Sequence, residues 1–401
     1  MTTSVTGPTR EEFADRLLKG SVRKSYAPVV DIDWEAPLDP DKFYLPPKTI
    51  SLYGTAIWQQ MTRAQRIELS RQEFVNTLSA GIWFENILNQ ALLRDLMHRD
   101  PTARAAHYAL TELGDETRHM VMFGKAIERV GATPVRPRLY HRVIINALPL
   151  VFKGSLLWVA ALIGEEIFDS LQRQMMDDPE LQPMVQRLMR IHVTEEARHI
   201  QFARDGVRRR VRDMPRINKV FMANINGIGG LFFRYLFTSP APYKRAGLPV
   251  REARLGALTN PHYHQTSVIG FAPLAAFLEE VGLMGPIARR LWRRSKFLPS
   301  TSEPKSVEIA ADEIYDGPAT LTVADEHIEV RVRLTGHVDP IDGKYHWQGT
   351  VFDALPDARP TGLVTLTVDG RTAQARITEQ TPWGSYSIAG TGAPPFSLQP
   401  A

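Results

Sequence analysis

Two short stretches of this chain share a spelling, Asp115-Glu116-Thr117-Arg118-His119 and Glu195-Glu196-Ala197-Arg198-His199. In each, a Glu and a His lie three residues apart, so a helix sets them side by side on one face. Two such helices, with a lone Glu from each of two others, are how four-helix carboxylate proteins hold two iron or manganese ions. One Glu-x-x-His arises by chance in any helix-rich chain. Two copies with matching acid and Arg are a specific signal.

The lone carboxylates follow from spacing. Glu85 precedes Glu116 by 31 residues, and Glu165 precedes Glu196 by the same interval. That repeat predicts two equivalent helix hairpins, and it selects Glu165 over its neighbour Glu166. Glu85 lies within the apolar stretch 80–88 and Glu165 follows the apolar run 143–164. Burying a carboxylate there is costly unless a cation pairs with it. The plainer alternative for either is an exposed acid on an amphipathic helix. His192, four residues before Glu196 and seven before His199, falls with them within roughly 60° of one helix face. A lone His is more often solvated or satisfied in a core, but this alignment makes it a ligand candidate. The candidate metal set is then Glu85, Glu116, His119, Glu165, His192, Glu196 and His199. Four carboxylates and three imidazoles suit iron or manganese rather than a thiolate-seeking metal.

The elements that must position these residues are legible in outline. The 401-residue chain is long enough for a large core and two domains. Its 43% hydrophobic and 23% charged residues are ordinary for a soluble globular protein. It has no cysteine, which excludes disulfides, iron–sulfur clusters, thiolate zinc and a Cys nucleophile. Residues 1–50 are Pro-rich and read as an extended arm. Thr62 and Gln65 form a capping box that opens a helix to about residue 98, with a break expected near Gly81. Asp100-Pro101 is read as the start of the helix carrying Glu116 and His119, ending at the break 131–137. Further helices are expected at about 147–177 and 183–213, then shorter ones to about 297. From about 304 to 396 the pattern shifts to period two, predicting six to eight strands. In it, 363–368, Asp369-Gly370 and 372–378 read as a hairpin. His327, His337 and His346 are scattered there as surface or core residues, and Trp347, Trp383 and Tyr386 read as core.

No secretory h-region is visible, so a cytoplasmic location is expected. The runs 143–164 and 221–237 read as buried helices rather than membrane spans. The net charge of +4 conceals two basic clusters, one of Arg204, Arg208, Arg209, Arg210, Arg212 and Arg216, the other of Arg289, Arg290, Arg293, Arg294 and Lys296. They read first as solvated faces with favourable charge at helix C-termini, and second as a dock for an acidic carrier protein, a reductase or an anionic membrane surface. Nothing has the motif grammar of a nucleic-acid binder.

Several stretches together resemble one family. They are Asp33-Trp34 through Pro37-Leu38-Asp39-Pro40, Ser51-Leu52-Tyr53-Gly54-Thr55, Trp83-Phe84-Glu85, the first five-residue word, and His192-x-x-x-Glu196-x-x-His199. Over roughly residues 20–300 the chain is similar to the p-aminobenzoate N-oxygenases, ferritin-like di-iron proteins that oxidise arylamines towards nitro compounds. The extra His192 is the most specific element of the resemblance, which carries the seven ligands over to the positions named above. It also implies O₂ as co-substrate. The segment 304–396 looks like an uncharacterised domain sometimes appended to such oxygenases; plainer members lack it, which bears on substrate and partner. Arg118 and Arg198 are then partners of carboxylates behind the metals, or else members of surface ion pairs. Asp115 and Glu195 project sideways and support rather than ligate.

The expected fold class is mainly α, a ferritin-like bundle with a di-metal core at 51–300, plus a small all-β domain. The expected function is di-iron oxygenation of a small amine with electrons from an external reductase, by a homodimer. A di-iron hydroxylase or desaturase acting on an acyl or carrier-bound substrate is the second reading, and a metal-storage module the third.

Overall fold

A computed structural model describes residues 9–137, 139–176, 178–299, 315–323, 326–338, 345–352, 363–380 and 386–396. The chain divides into two compact units, Met1–Ser300 and Thr301–Ala401.

Among the described residues the first unit is all helix. Its elements are α1 (Arg10–Arg23), α2 (Pro28–Asp31), α3 (Ala56–Gln60), α4 (Arg63–Leu96), α5 (Arg104–Arg129), α6 (Leu139–Val151), α7 (Ser155–Gln172), α8 (Pro183–Arg212), α9 (Arg216–Ile225), α10 (Ile228–Phe237), α11 (Pro240–Arg245), α12 (Val250–Thr259), α13 (Pro261–Glu280) and α14 (Pro286–Arg294). α4 packs on α5 and α7 on α8, which are the two hairpins expected from the repeated 31-residue interval. The Thr62–Gln65 capping box opens α4 as read. α4 does not break at Gly81; it is continuous there, and the missing Cβ leaves room for the Phe123 ring of α5.

Three local expectations differ from the structure. The supposed extended arm begins with α1, opened by a Thr9–Glu12 capping box and packed on α5 and α8. Arg10 of α1 reaches Asp205 at 2.6 Å and stacks over the Phe202 ring. α5 starts at Arg104 rather than after Asp100, because the Asp100 side chain accepts from Thr102 in a turn of its own. The predicted helix 147–177 is two helices, α6 and α7; Pro149 lies inside α6, and the chain parts beyond Val151, where Gly154 takes a positive φ before α7.

Residues 216–245 have the length and apolarity of a membrane span, yet they form three short helices, α9 to α11. Buried Asn226 between α9 and α10 donates to Leu283 O and accepts from Trp292 Nε1, so the segment is stitched to α14 rather than uniformly apolar.

The second unit is a closed six-stranded antiparallel barrel in the order β1-β2-β3-β6-β5-β4. Its strands are β1 (Tyr315–Val323), β2 (Glu326–Val338), β3 (Tyr345–Val351), β4 (Leu363–Val368), β5 (Arg371–Gln380) and β6 (Tyr386–Thr391). The hairpin read at Asp369-Gly370 joins β4 to β5, with both turn residues at positive φ. The interior is apolar, with Leu321, Val332, Leu334, Val351 and Leu366 fully enclosed around Trp347 and Tyr386. His327 is exposed; Trp383 and residues 304–314 lie outside the described residues, as do the side chains of His337 and His346.

Candidate metal centre

Helices α4, α5, α7 and α8 each deliver a carboxylate to the middle of the first unit. Glu85, Glu116, Glu165 and Glu196 are all at most 4% exposed, as are His119, His192 and His199. Two groups of potential ligand atoms stand within 4.8 Å of one another: Glu85, His119, His192 and Glu196 form one, and Glu116, Glu196 and His199 the other. Glu196 belongs to both. Glu165 is outside these two groups but lines the same small cavity as Glu85, His192 and Glu196. Its neighbour Glu166 turns away and is held by Arg204 of α8, so the backbone geometry separates the two as the spacing does.

The flanking acids hold the imidazoles in a crossed pattern. His119 of α5 meets Glu195 of α8 through Nε2 at 2.9 Å, and His199 of α8 meets Asp115 of α5 through Nε2 at 3.2 Å. With Nε2–H donating to each carboxylate, both Nδ1 atoms turn inward, His119 Nδ1 to 2.9 Å from Glu116 and His199 Nδ1 to 2.8 Å from it. Such carboxylate–imidazole pairs fix ring orientation and tautomer for a ligand. Asp115 and Glu195 therefore sit behind the histidines, as anticipated. Arg118 bonds Asp115 and stands 3.8 Å from Glu195, while Arg198 Nη2 is 3.7 Å from Asp115. These arginines neutralise the outer acids.

The inner atoms are left without partners. Glu85 Oε2, both oxygens of Glu165 and of Glu196 and both ring nitrogens of His192 are buried with no hydrogen bond. Buried polar groups are almost always satisfied, so so many converging orphans call for a cation. The protonation pattern says the same. Burial, then the neighbouring acids, push Glu85 and Glu165 well above the ordinary carboxylate range. Burial and Glu196 also push on Glu116, but His199 and bonds from both histidines outweigh them and hold it at about 2. His119 and His199 rise well above the usual imidazole range because their carboxylate partners overcome burial. Burial and the charge of His119 drive His192 down to about 4, leaving it a neutral ligand. In the ion-free cluster, two imidazolium protons thus supply the positive charge that the acids require.

Glu112 is a further buried acid beside this cluster, outside the candidate set read from the sequence. It is 1% exposed with an unpartnered Oε2, and burial foremost raises its carboxyl to about 8. Glu112 stands four residues before Glu116 as His192 stands four before Glu196, so the mirrored spacing was there to be read. Of the basic clusters, Arg204, Arg208, Arg209 and Arg289 are paired with Glu166, Glu280, Asp205 and Glu279.

A family model described as p-aminobenzoate N-oxygenase AurF matches residues 7–282. The chain belongs to the p-aminobenzoate N-oxygenase family. This family supplies a helical di-iron oxygenase fold, and the buried Glu/His cluster is compatible with it. A domain of unknown function, DUF4873, matches residues 312–398, the barrel. An uncharacterized protein of Mycobacterium tuberculosis (strain CDC 1551 / Oshkosh) is 30% identical over 325 residues, 75% of this chain and 92% of that protein. Another uncharacterized protein, of strain H37Rv, is 64% identical over 88 residues, 21% of this chain. That match spans only a quarter of the relative's length.

Proposed function

We propose that the chain is a di-iron N-oxygenase, converting a small amine to its hydroxylamine and onward towards nitroso or nitro products. The observation that carries this reading is Glu196 standing in two ligand groups at once, one of which includes the additional imidazole of His192. Glu85, Glu116, His119, Glu165, His192, Glu196 and His199 would hold the metals, with manganese as the alternative to iron. Two bound iron ions would supply redox activation of O₂. The first oxygenation balances as amine, O₂, two electrons and two protons giving hydroxylamine and water.

The surrounding residues have definable tasks. Asp115 and Glu195 keep His119 and His199 with Nδ1 inward. Phe84, Phe123 and Phe168 line the small cavity at Glu85 and Glu165 and keep bulk water from it. Gly164 is required there, since any Cβ on it would overlap the Phe84 ring. Electrons come from outside, for the chain has no cysteine of its own; an external reductase, a homodimeric state and a cytoplasmic setting complete the reading.

The test is single turnover of the iron-loaded, reduced full chain with O₂ and a panel of arylamines. Oxygenated nitrogen products, lost in His192→Ala, support the reading. Oxidation of a carrier-bound acyl chain with no arylamine product favours hydroxylase or desaturase chemistry. Ferric protein without any organic product favours storage.

A further inference from the structure

A second cavity of ≈ 70 Å³ adjoins the cavity at the metal centre, the two sharing Thr77, Phe168 and Gln172 as walls. On the reading that amine oxygenation occurs at that centre, this is where the rest of the substrate would lie. Its lining is mainly apolar, and no Arg, Lys or His is among the described residues that form it. It does contain a buried acid, Glu73 of α4, 9% exposed. Ser51 donates to Glu73 through both its backbone N–H and its hydroxyl. Among the described residues no cation faces the carboxyl, and burial raises it to about 7, with the Ser51 bonds opposing.

Several of the donors on these walls are already committed. Tyr243 Oη is 2.9 Å from Ser51 Oγ, whose proton goes to Glu73. Tyr263 donates to Phe237 O, and Asn76 to Leu236 O. Acceptors, by contrast, have capacity left. Gln172 Oε1 is buried with no partner, and a carboxylate accepts more bonds than Ser51 supplies. A cavity with spare acceptors, a buried acid and no cation is complementary to a ligand bringing donors and positive charge, and hostile to an anion.

We propose that this cavity selects arylamines carrying a second, cationic amino group, held by Glu73 with Gln172 as a further acceptor, over anionic arylamines such as p-aminobenzoate. Glu73 is thus a specificity-determining residue remote from the metals.

The test is equilibrium binding to the metal-loaded full chain under anaerobic conditions. Two probes share the ring and reactive amine: 4-(aminomethyl)aniline, a cation at neutral pH, and p-aminobenzoate, an anion. The wild type is expected to bind the cationic probe at least roughly tenfold more tightly, and Glu73→Gln to erase the difference with metal content unchanged. Ser51→Ala removes the hydroxyl donor to Glu73, leaves the backbone N–H in place and keeps the carboxyl's charge, so the preference should survive; loss of preference there equal to that in Glu73→Gln would reduce Glu73 to a structural latch. Equal affinities in the wild type, a preference for p-aminobenzoate, no saturable binding of either probe, or an undiminished preference in Glu73→Gln each overturn the proposal. A cation preference without nitrogen oxygenation upholds it and counts against the N-oxygenase reading alone.

Discussion

The two units bury opposite kinds of chemistry. Inside the barrel, the enclosed side chains are Leu, Val, Ile and Ala around Trp347, Tyr386 and Phe396, and no charged residue is buried among those described. At the centre of the helical unit, four ligand-candidate acids and three histidines are at most 4% exposed, many of their atoms without partners. An apolar interior stabilises its fold by removing surface from water. A charged interior with orphaned atoms lowers stability until something binds. The barrel core therefore reads as structure and the bundle core as function.

The sharpest way to break this contrast is to remove a shared carboxylate. Glu196→Ala takes a ligand from both groups and should abolish most metal binding, measured by elemental analysis, while the barrel stays folded. Next in size are the acids behind the histidines. Asp115→Asn or Glu195→Gln should weaken metal affinity by roughly 10- to 100-fold, read by competition with a chelator. The converse experiment is in the barrel. Leu366→Ala should cost about 2–5 kcal/mol of that unit's stability and leave the metal content of the full chain unchanged; a loss of metal there would mean the two interiors are not independent.

Much of this contrast is legible in the sequence, and the reason is periodicity. Glu116 and His119 lie three residues apart, as do Glu196 and His199, and His192 stands four before Glu196, so local spacing alone puts each set on one face. The 31-residue interval works because each hairpin is a local unit. The alternation in 327–334 likewise shows a half-buried strand. What escaped notice is of two kinds. Glu112 and the Thr9–Glu12 cap carry readable local signals. Glu73, Ser51 and Gln172 do not: their meaning comes from α4, α7 and the segment before α3 meeting around one cavity, a contact no helical period encodes. Arg204 and Arg208 are similar, since their partners Glu166 and Glu280 lie far from them in the chain.

The smallest predicted effect is one of pH. The folded Glu73 carboxyl sits at about 7, above its value of roughly 4.3 in an unfolded chain. The stability it contributes is thus fully present below the lower value and lost as pH rises through the higher one. Melting temperatures of wild type and Glu73→Gln, taken from pH 4 to pH 8, should show the wild type losing ground to the variant by up to a few kcal/mol over that interval. A constant difference would mean that Glu73 does not hold its proton in the folded state.

The most direct test of the central claim is the metal stoichiometry of the full chain after anaerobic reconstitution with ferrous iron and removal of excess. The crossed histidines, the orphaned acids and the doubly placed Glu196 predict two ions per chain, taken up with release of protons from His119 and His199. No bound metal, or two ions retained in Glu196→Ala, would contradict it.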